Sequence, residues 1–224
     1  TRKVLSLKMK KYLIIFDLDG TVLDTVGSIA HFGNLAFEAH GIEPIDAKEY
    51  QYFAGDGAKI LIKRMLNYRN CYSDELHASV FKLYNEMYNA DVTCKTVIFD
   101  GLKEILDRLK ADGYHFAIVS NKPDAAVKAL CADWFPGIYA LGEQAGLPRK
   151  PAPDMVYAAM KALGVDKCVY VGDSETDVET AINSGAPCLS VLWGFRDKET
   201  LVEAGADYFC KTPADLLKIL KEMM

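Results

Sequence analysis

The sequence predicts an α/β fold: a three-layer α/β/α, Rossmann-like parallel sheet with an inserted all-helical cap domain. Two observations support this prediction. Short apolar runs alternate with helical patterns in the carboxy-terminal part of the chain, which is typical of parallel strands covered by helices on both faces. The segment after the first apolar run instead carries helical patterns and no convincing strand. We therefore expect a core of residues 1–24 and 95–224 and a helical cap of residues 25–94.

The elements follow in order along the chain. The run Tyr12–Phe16 is short and apolar, as in a strand that is buried on both faces. In the cap, apolar residues recur at helical spacing at Leu76, Val80, Leu83 and Met87. Further core strands are expected at 115–119, 138–141, 168–171 and 188–192. Core helices are expected at 102–109, 125–132, 154–163 and 175–183, with a last helix that begins after Thr212.

Composition and charge exclude several classes of function. Half of the 224 residues are hydrophobic and a quarter are charged, which is ordinary for a globular protein with an ample core. The net charge of −5 lacks the basic surface expected of a nucleic-acid binder or of a protein drawn to anionic membranes. No apolar run approaches the roughly 18 residues that span a bilayer. We expect no nucleic-acid or membrane partner, and a monomer or homodimer.

The amino-terminal residues and the cysteines predict a cytoplasmic protein. The first ten residues are basic, but the apolar run behind them is too short for a signal-peptide core. Met9 is a candidate natural start, with residues 1–8 added before it. The six cysteines are scattered and form no C-x-x-C pair. Reduced, structural thiols are therefore expected rather than a disulfide framework.

Polar residues follow three of the expected strands directly. The runs are Asp17-Leu18-Asp19-Gly20-Thr21, Ser120-Asn121-Lys122 and Gly172-Asp173-Ser174-Glu175-Thr176-Asp177. A fourth run, Lys150-Pro151-Ala152-Pro153, precedes a helix. The carboxyl ends of parallel strands meet at one edge of a sheet, where ligands bind. We expect four acids, a hydroxyl and a lysine to converge there.

This collection of groups indicates phosphoryl transfer to a carboxylate. Crowded carboxylates repel one another unless a positive charge lies between them, and oxygen ligands suit Mg²⁺. The ion would also screen a phosphoryl group from an attacking carboxylate. The lysine, the hydroxyl and backbone N–H groups beside Gly20 and Asn121 can hold the phosphate oxygens.

The four ordered runs resemble the motifs of the haloacid dehalogenase superfamily over residues 12–220. The resemblance implies that Asp17 is the nucleophile and a metal ligand. It implies that Asp19 is the general acid and base and offers its backbone carbonyl to the metal. Asp173 would bind Mg²⁺ directly. Asp177 would bind it through a water molecule or would contact its direct ligands. The phosphate-binding residues would be Gly20, Thr21, Ser120, Asn121 and Lys150.

Simpler interpretations compete with some of these roles. Asp173 and Asp177 can be a helix N-cap and a first-turn acid that caps the helix, because helix N-termini favour acidic residues. Ser120 can be a turn hydroxyl. The tryptophans Trp134 and Trp193 are expected to pack in the core or beside the hinge.

The cap and several core segments resemble the phosphoglycolate phosphatase branch, most clearly over residues 53–66. This resemblance implies hydrolysis of a small phosphomonoester, with phosphoglycolate as the first candidate substrate and Mg²⁺ as cofactor. A phosphomutase commonly has valine where Thr21 stands, and a dehalogenase would not need Asp19. An inorganic pyrophosphatase of the same fold remains an alternative, and a non-enzymatic phospho-accepting regulator fits least well.

Substrate discrimination is expected to come from the cap, in the segment Gly55-Asp56-Gly57-Ala58-Lys59. One interpretation is a loop followed by an Asp56 N-cap and a helix. The other is a specificity loop in which Gly55 and Gly57 bring backbone close to a small leaving group. In that interpretation Lys59 meets a second anionic group. His31 and Arg64 are the next candidates.

Overall fold

The computed structural model describes residues 12–224, so the candidate start at Met9 lies outside the described residues. Within this range a six-stranded parallel sheet has the order β5-β4-β1-β6-β7-β8. Its strands are β1 (Tyr12–Phe16), β4 (His115–Pro123), β5 (Tyr139–Glu143), β6 (Lys167–Gly172), β7 (Cys188–Val191) and β8 (Tyr208–Cys210). β1 lies in the middle, hydrogen-bonded to β4 on one side and β6 on the other.

Helices cover both faces of the sheet, as predicted. They are α5 (Leu102–Ala111), α6 (Asp124–Trp134), α7 (Asp154–Leu163), α8 (Glu175–Ser184), α9 (Lys198–Glu203) and α10 (Pro213–Met223). Side chains of β1 alternate between the faces because a strand has a period of two. Ile14 and Phe16 pack in one hydrophobic cluster with α5, α6 and α10. Leu13 and Ile15 pack in another with α7 and α8. The predicted three-layer α/β/α fold is confirmed.

Among the elements that the sequence did not predict are α9 and the edge strand β8. β8 has only three residues, and Tyr208 in it is 50% exposed, so it lacks the apolar run that marks the inner strands. β4 is longer than predicted and runs on to Pro123. α6 follows it at once, from Asp124.

Residues 25–94, here called the helical insert, fold into helices between β1 and the rest of the sheet. The helices are α1 (Val26–Ala39), a short 3₁₀ turn (Ala47–Glu49), α2 (Tyr50–Phe53), α3 (Ala58–Tyr68) and α4 (Asp74–Ala90). They bury a hydrophobic cluster of their own, which includes Phe37, Tyr50, Ile62 and Met65. Ala126 and Phe195 of the core join this cluster and pack the insert against the sheet edge.

A two-stranded antiparallel pair links the two places where the chain passes between core and insert. β2 (Leu23–Asp24) pairs with β3 (Val97–Ile98). This pair lies beside the predicted boundaries at residues 24 and 95.

None of the helices in the described part of the chain combines the length and apolarity needed to cross a membrane.

Candidate active site

The loop after β1 places two acids at the carboxyl edge of the sheet. Asp17 is 5% exposed, and its backbone N–H donates to the carbonyl of Val171. The chain then turns at Gly20, whose φ of +84° favours glycine. A Cβ on Gly20 would lie 2.3 Å from the carboxylate of Asp173. A glycine is therefore required here for the loops after β1 and β6 to approach each other.

Three buried carboxylates and one lysine form the centre of the site. One oxygen from each of Asp17, Asp173 and Asp177 lies within 4.8 Å of the others. The Nζ of Lys150 lies 2.8 Å from Asp17 Oδ1 and 2.8 Å from Asp177 Oδ1. One lysine cannot balance three carboxylates, so the cluster carries excess negative charge when all three are ionised. The predicted convergence of the motifs is thus found in the structure.

The pKa values of the clustered groups reflect both their burial and this excess of negative charge. Burial raises the pKa of Asp17 to about 7, although the Lys150 ammonium opposes the rise. Burial and the two neighbouring carboxylates raise the pKa of Asp173 well above its usual range. Burial alone would lower the pKa of Lys150, but Asp17 and Asp177 raise it well above its usual range. A cation among these oxygens would relieve the repulsion, and hard oxygen donors suit Mg²⁺.

Asp177 has the helix-capping contacts that were the alternative interpretation of its role. Its Oδ2 accepts bonds from the backbone N–H groups of Asp173 and Ser174, and from Ser174 Oγ at 2.7 Å. Asp177 and Ser174 form a capping box at the start of α8. With its other oxygen bound to Lys150, Asp177 has little capacity left for a direct metal bond, which fits the implied indirect role.

Several of the expected phosphate-binding residues also bond to other residues. Ser120 and Asn121 are buried at the end of β4. Asn121 Nδ2 donates to the carbonyls of Lys150 (3.0 Å) and Gly55 (3.2 Å), while its buried Oδ1 has no partner among the described residues. The Thr21 hydroxyl donates to Asp173 Oδ1 at 2.7 Å and so orients that carboxylate.

Asp19 is paired with Lys122, a residue that the sequence analysis did not assign to the site. The Lys122 Nζ lies 2.9 and 3.1 Å from the two oxygens of Asp19. The Thr25 hydroxyl donates to the same carboxylate at 2.7 Å. Burial lowers the pKa of Lys122, but Asp19 and the nearby phenol of Tyr88 raise it above its usual range. Lys122 could have been assigned to the site from the sequence, because it lies two residues after Ser120 at the same sheet edge.

A narrow cavity joins these groups to the helical insert. It offers about 40 Å³ to the centres of water molecules. That is room for about three waters. The core supplies Asp17, Asp19, Ser120, Asn121, Lys122 and Pro123 to its lining. The insert supplies Ile29, Ala54, Gly55, Gly57, Ala58, Leu61, Tyr84, Asn85, Tyr88 and Asn89.

The contribution of α4 to this lining was missed. Tyr84, Asn85, Tyr88 and Asn89 repeat at i, i+1, i+4 and i+5, which is one face of a helix. The apolar repeat used to predict this helix follows a neighbouring face. The sequence could have indicated this face of α4, because a polar and aromatic stripe runs beside the apolar stripe of the same helix.

Two of the cap predictions need correction. Gly57, with a φ of +80°, is the N-cap of α3, so the Asp56 N-cap interpretation is wrong. Asp56 instead accepts from Thr176 Oγ1 at 2.9 Å and pairs with Arg64 at 2.5 Å. Lys59 is exposed, and its ammonium lies 5.8 Å from the ring centroid of Phe81, outside the cavity lining. Successive helical residues point about 100° apart, so Lys59 turns away when Ala58 faces the cavity.

Core side chains hold the segment Ala54 to Gly57, here called the insert loop, through its backbone. Arg149 donates to the carbonyl of Asp56 at 2.8 Å. Arg196 donates to the carbonyl of Ala54 at 3.0 Å and to that of Gln51. Arg149 and Arg196 were not predicted as site residues, because their partners are backbone atoms distant in sequence.

The remaining candidates lie away from the cavity. His31 approaches Lys95, with 3.3 Å between Nδ1 and Nζ. Trp193 packs against Phe99 and donates from Nε1 to the carbonyl of Thr21 at 3.0 Å. Trp134 packs on the edge of the main core cluster. The packing interpretation of both tryptophans is therefore confirmed.

Comparisons with known proteins agree with this geometry. The profile of the haloacid dehalogenase-like hydrolases matches residues 14–191. A phosphoglycolate phosphatase of Cereibacter sphaeroides is 34% identical over 82% of this chain and 86% of its own length. That of Photorhabdus laumondii is 29% identical over 92% of this chain and 91% of its own.

A solved structure is similar over almost the whole chain. It is a candidate phosphoglycolate phosphatase from Lactobacillus delbrueckii subsp. bulgaricus, with a TM-score of 0.89 and 35% identity. The similarity covers 95% of this chain and 99% of that one. It therefore includes both the sheet and the helical insert.

Proposed function

We propose a mechanism and a substrate class for this phosphoric monoester hydrolase. The chain belongs to the haloacid dehalogenase-like hydrolase family, in its phosphoglycolate phosphatase-like branch. It hydrolyses a small phosphorylated metabolite through a phospho-Asp17 intermediate, with Mg²⁺ as cofactor. Phosphoglycolate is the first substrate to test. The observation that carries the proposal is the buried cluster of Asp17, Asp173, Asp177 and Lys150 beside a narrow cavity.

The first half of the reaction forms the acyl phosphate. An oxygen of Asp17 attacks phosphorus, the bond from phosphorus to the leaving oxygen breaks, and Asp19 gives a proton to that oxygen. Lys150, next to Asp17, stabilises the negative charge of the transferring group. Ser120 and the backbone around Asn121 hold its other oxygens.

The second half releases phosphate. Asp19 accepts a proton from a water molecule, whose oxygen attacks the phosphorus of phospho-Asp17. The bond between phosphorus and the Asp17 oxygen breaks, which regenerates the carboxylate. Asp19 thus returns to the protonation state in which it began the cycle, and no external reductant or group acceptor is needed.

The acid cluster fits a divalent cation. Asp17, Asp173 and the backbone carbonyl of Asp19 would hold it, with Asp177 behind them. When bound, Mg²⁺ supplies positive charge that offsets the repulsion between the phosphoryl group and the attacking carboxylate. The raised pKa values of Asp17 and Asp173 support this assignment, because burial and the neighbouring carboxylates disfavour their ionised forms, which a bound cation would favour.

The cavity supports a small substrate and a role for the helical insert as a cap domain. With about 40 Å³ open to water centres, it has room for a phosphoryl group and only a few further atoms. The insert supplies most of the lining, so it would exclude bulk water and select the leaving group. The six free cysteines support a cytoplasmic location, and we retain the expectation of a monomer or homodimer.

A substrate panel with added Mg²⁺ tests the proposal. It contains phosphoglycolate, pyrophosphate, sugar phosphates, a sugar-phosphate mutase substrate pair and a 2-haloacid. Phosphate release from a small phosphomonoester, abolished by EDTA and restored by Mg²⁺, is the expected result. Preference for pyrophosphate, net isomerisation of a sugar phosphate or halide release would each reject it in favour of the corresponding alternative.

A trapping experiment tests the intermediate. The enzyme is quenched in acid during turnover of a ³²P-labelled substrate and divided into samples with and without hydroxylamine. Hydroxylamine cleaves acyl phosphates, so label should be retained in acid, lost with hydroxylamine and absent from Asp17→Asn. Label on Asp17→Asn at the wild-type level would show that the nucleophile lies elsewhere.

A further inference from the structure

We propose that Lys122, with the hydroxyl of Tyr88, recognises a second anionic group on the substrate, a carboxylate. This inference rests on the proposed function and deepens it, since it assigns the specificity determinant within the same cavity. It replaces the expected role of Lys59, whose ammonium lies over Phe81 instead.

Lys122 is the one lysine or arginine among the described residues that line the cavity. It is 8% exposed, and a buried ammonium needs anionic or polar partners. Asp19 is its carboxylate partner, at 2.9 and 3.1 Å. An ammonium has three N–H donors, so two bonds to Asp19 leave capacity for a substrate oxygen.

The other cations near the insert loop are already bound. Arg149 and Arg196 donate to backbone carbonyls, and Arg64 pairs with Asp56. Lys150 is held between Asp17 and Asp177, where it serves the reacting phosphoryl group. Within the described residues, these contacts leave Lys122 as the cation placed to meet a different part of the substrate.

Tyr88 supplies the second observation. It is 4% exposed, and its hydroxyl has no hydrogen-bond partner among the described residues. Buried hydroxyls are normally bonded, so an unpartnered one at a cavity wall points to a missing ligand. Its ring centroid lies 4.6 Å from the Lys122 Nζ. A carboxylate there can accept from the ammonium and from the phenol together.

The spacing fits a short substrate. Ser120 and Lys122 are two residues apart on β4 and both line the cavity, so their backbones are at most about 7 Å apart. Ser120 serves the phosphate in the proposed mechanism. A carboxylate a few bonds from phosphorus would therefore reach Lys122 within the same cavity.

The test compares two substrates on matched variants. Phosphoglycolate carries the carboxylate, and ethyl phosphate has a methyl group in its place. The variants are Lys122→Met, Lys122→Arg and Tyr88→Phe, with Lys59→Met as a lysine control outside the cavity. For each, kcat and KM are measured on both substrates with Mg²⁺, and Tm reports folding.

Lys122→Met should lower the preference for phosphoglycolate over ethyl phosphate by about 10- to 100-fold, as expected for loss of one charge-assisted hydrogen bond. Tyr88→Phe should lower it less, and Lys122→Arg should retain most of it. Lys59→Met should leave it unchanged. Because Lys122 also holds Asp19, its loss should slow both substrates, and the ratio between them isolates recognition.

An unchanged ratio in both Lys122→Met and Tyr88→Phe would overturn the inference and leave Lys122 as a positioning residue for Asp19. Equal use of the two substrates by the wild-type enzyme would also overturn it, while the proposed phosphatase function would stand. Hydrolysis of neither substrate, nor of any other phosphomonoester, would reject the function itself. If Lys122→Met does not fold, Tyr88→Phe and Lys122→Arg decide the question.

Discussion

The core side and the insert side of the cavity are built differently. On the core side, charged groups are buried and paired at short distances, as in the two 2.8 Å contacts of Lys150. On the insert side, the lining is mostly apolar side chains, amides and phenols. Charges fixed in a dry site act strongly on a reacting group, whereas apolar walls act through shape. In the proposed function, chemistry is therefore assigned to the core, and selection to the insert together with Lys122 of the core.

The hydrogen bonds between the two sides come mostly from side chains of the core. Core side chains reach across to backbone carbonyls of the insert loop, from Asn121, Arg149 and Arg196. Backbone acceptors are present whatever the side chain, so these bonds hold the loop without specifying its sequence. Asp56 is the exception, because it uses its own carboxylate to bind Thr176 of the core.

The substitution with the largest expected effect removes Asp17, the proposed nucleophile, from the core side. Asp17→Asn should lower kcat by on the order of 10⁴-fold or more on every substrate, because an amide cannot form the acyl phosphate. Steady-state kinetics on several phosphoesters measures this loss, and circular dichroism confirms the fold. A loss confined to one substrate would contradict the assignment of chemistry to the core.

A smaller effect is expected at the contact between the sides. Asp56→Asn and Thr176→Val each weaken the bond from the insert loop to α8, worth about 1 kcal/mol or roughly fivefold in an equilibrium. KM should therefore rise several-fold with a modest change in kcat, as expected if the loop closes less firmly. Glu86→Gln, in an exposed 4.0 Å ion pair on α4, is the control. An equal change in that control would show that the effect is general to the insert.

The acid cluster predicts a pH-dependent gain in stability from Mg²⁺. Burial raises the folded-state pKa of Asp17 to about 7 from 3.8, so its contribution to stability is full below pH 4 and is lost as pH rises through 7. Without metal, the cluster should therefore weaken the fold most above pH 7. Mg²⁺ should raise Tm more at pH 8 than at pH 5.5 in thermal melts. The reverse order would argue against binding to ionised Asp17.

The smallest effect should come from Lys59. Its ammonium is outside the cavity, so Lys59→Met should change kcat/KM by less than about twofold, as is usual for surface substitutions. Kinetics on phosphoglycolate measures this. A tenfold loss specific to that substrate would restore the original interpretation of Lys59 and would place selection on a different face of α3.

The sequence predicted the core side well because its groups are set by local rules. Asp17 and Asp173 each follow a buried strand and Ser120 lies in the second half of another, and parallel strands bring such positions to one edge. Lys150 was identified from its motif rather than from a strand. The short edge strand β8 was missed because three residues, of which only Cys210 is buried, carry almost no periodic signal.

The insert side was predicted less well because it depends on how helices rotate and pack. The α4 stripe of Tyr84 and Tyr88 and the exposed direction of Lys59 follow from which helical face meets the core. That face is chosen by tertiary packing, for example where Ala126 and Phe195 join the insert's hydrophobic cluster. The role of Lys122 was missed although its motif was recognised, because its pairing with Asp19 spans 103 positions.

The central position of β1 has a consequence for how the protein is made. β1 is synthesised first, but its partners are residues 115–118 of β4 and residues 167–171 of β6. Pairings of such high sequence separation form slowly. During translation, β1 therefore stays without these partners until residue 171 has been synthesised. The sheet edge that bears Asp17, Ser120 and Asp173 assembles only after that point, and an apolar strand without partners is exposed to aggregation until then.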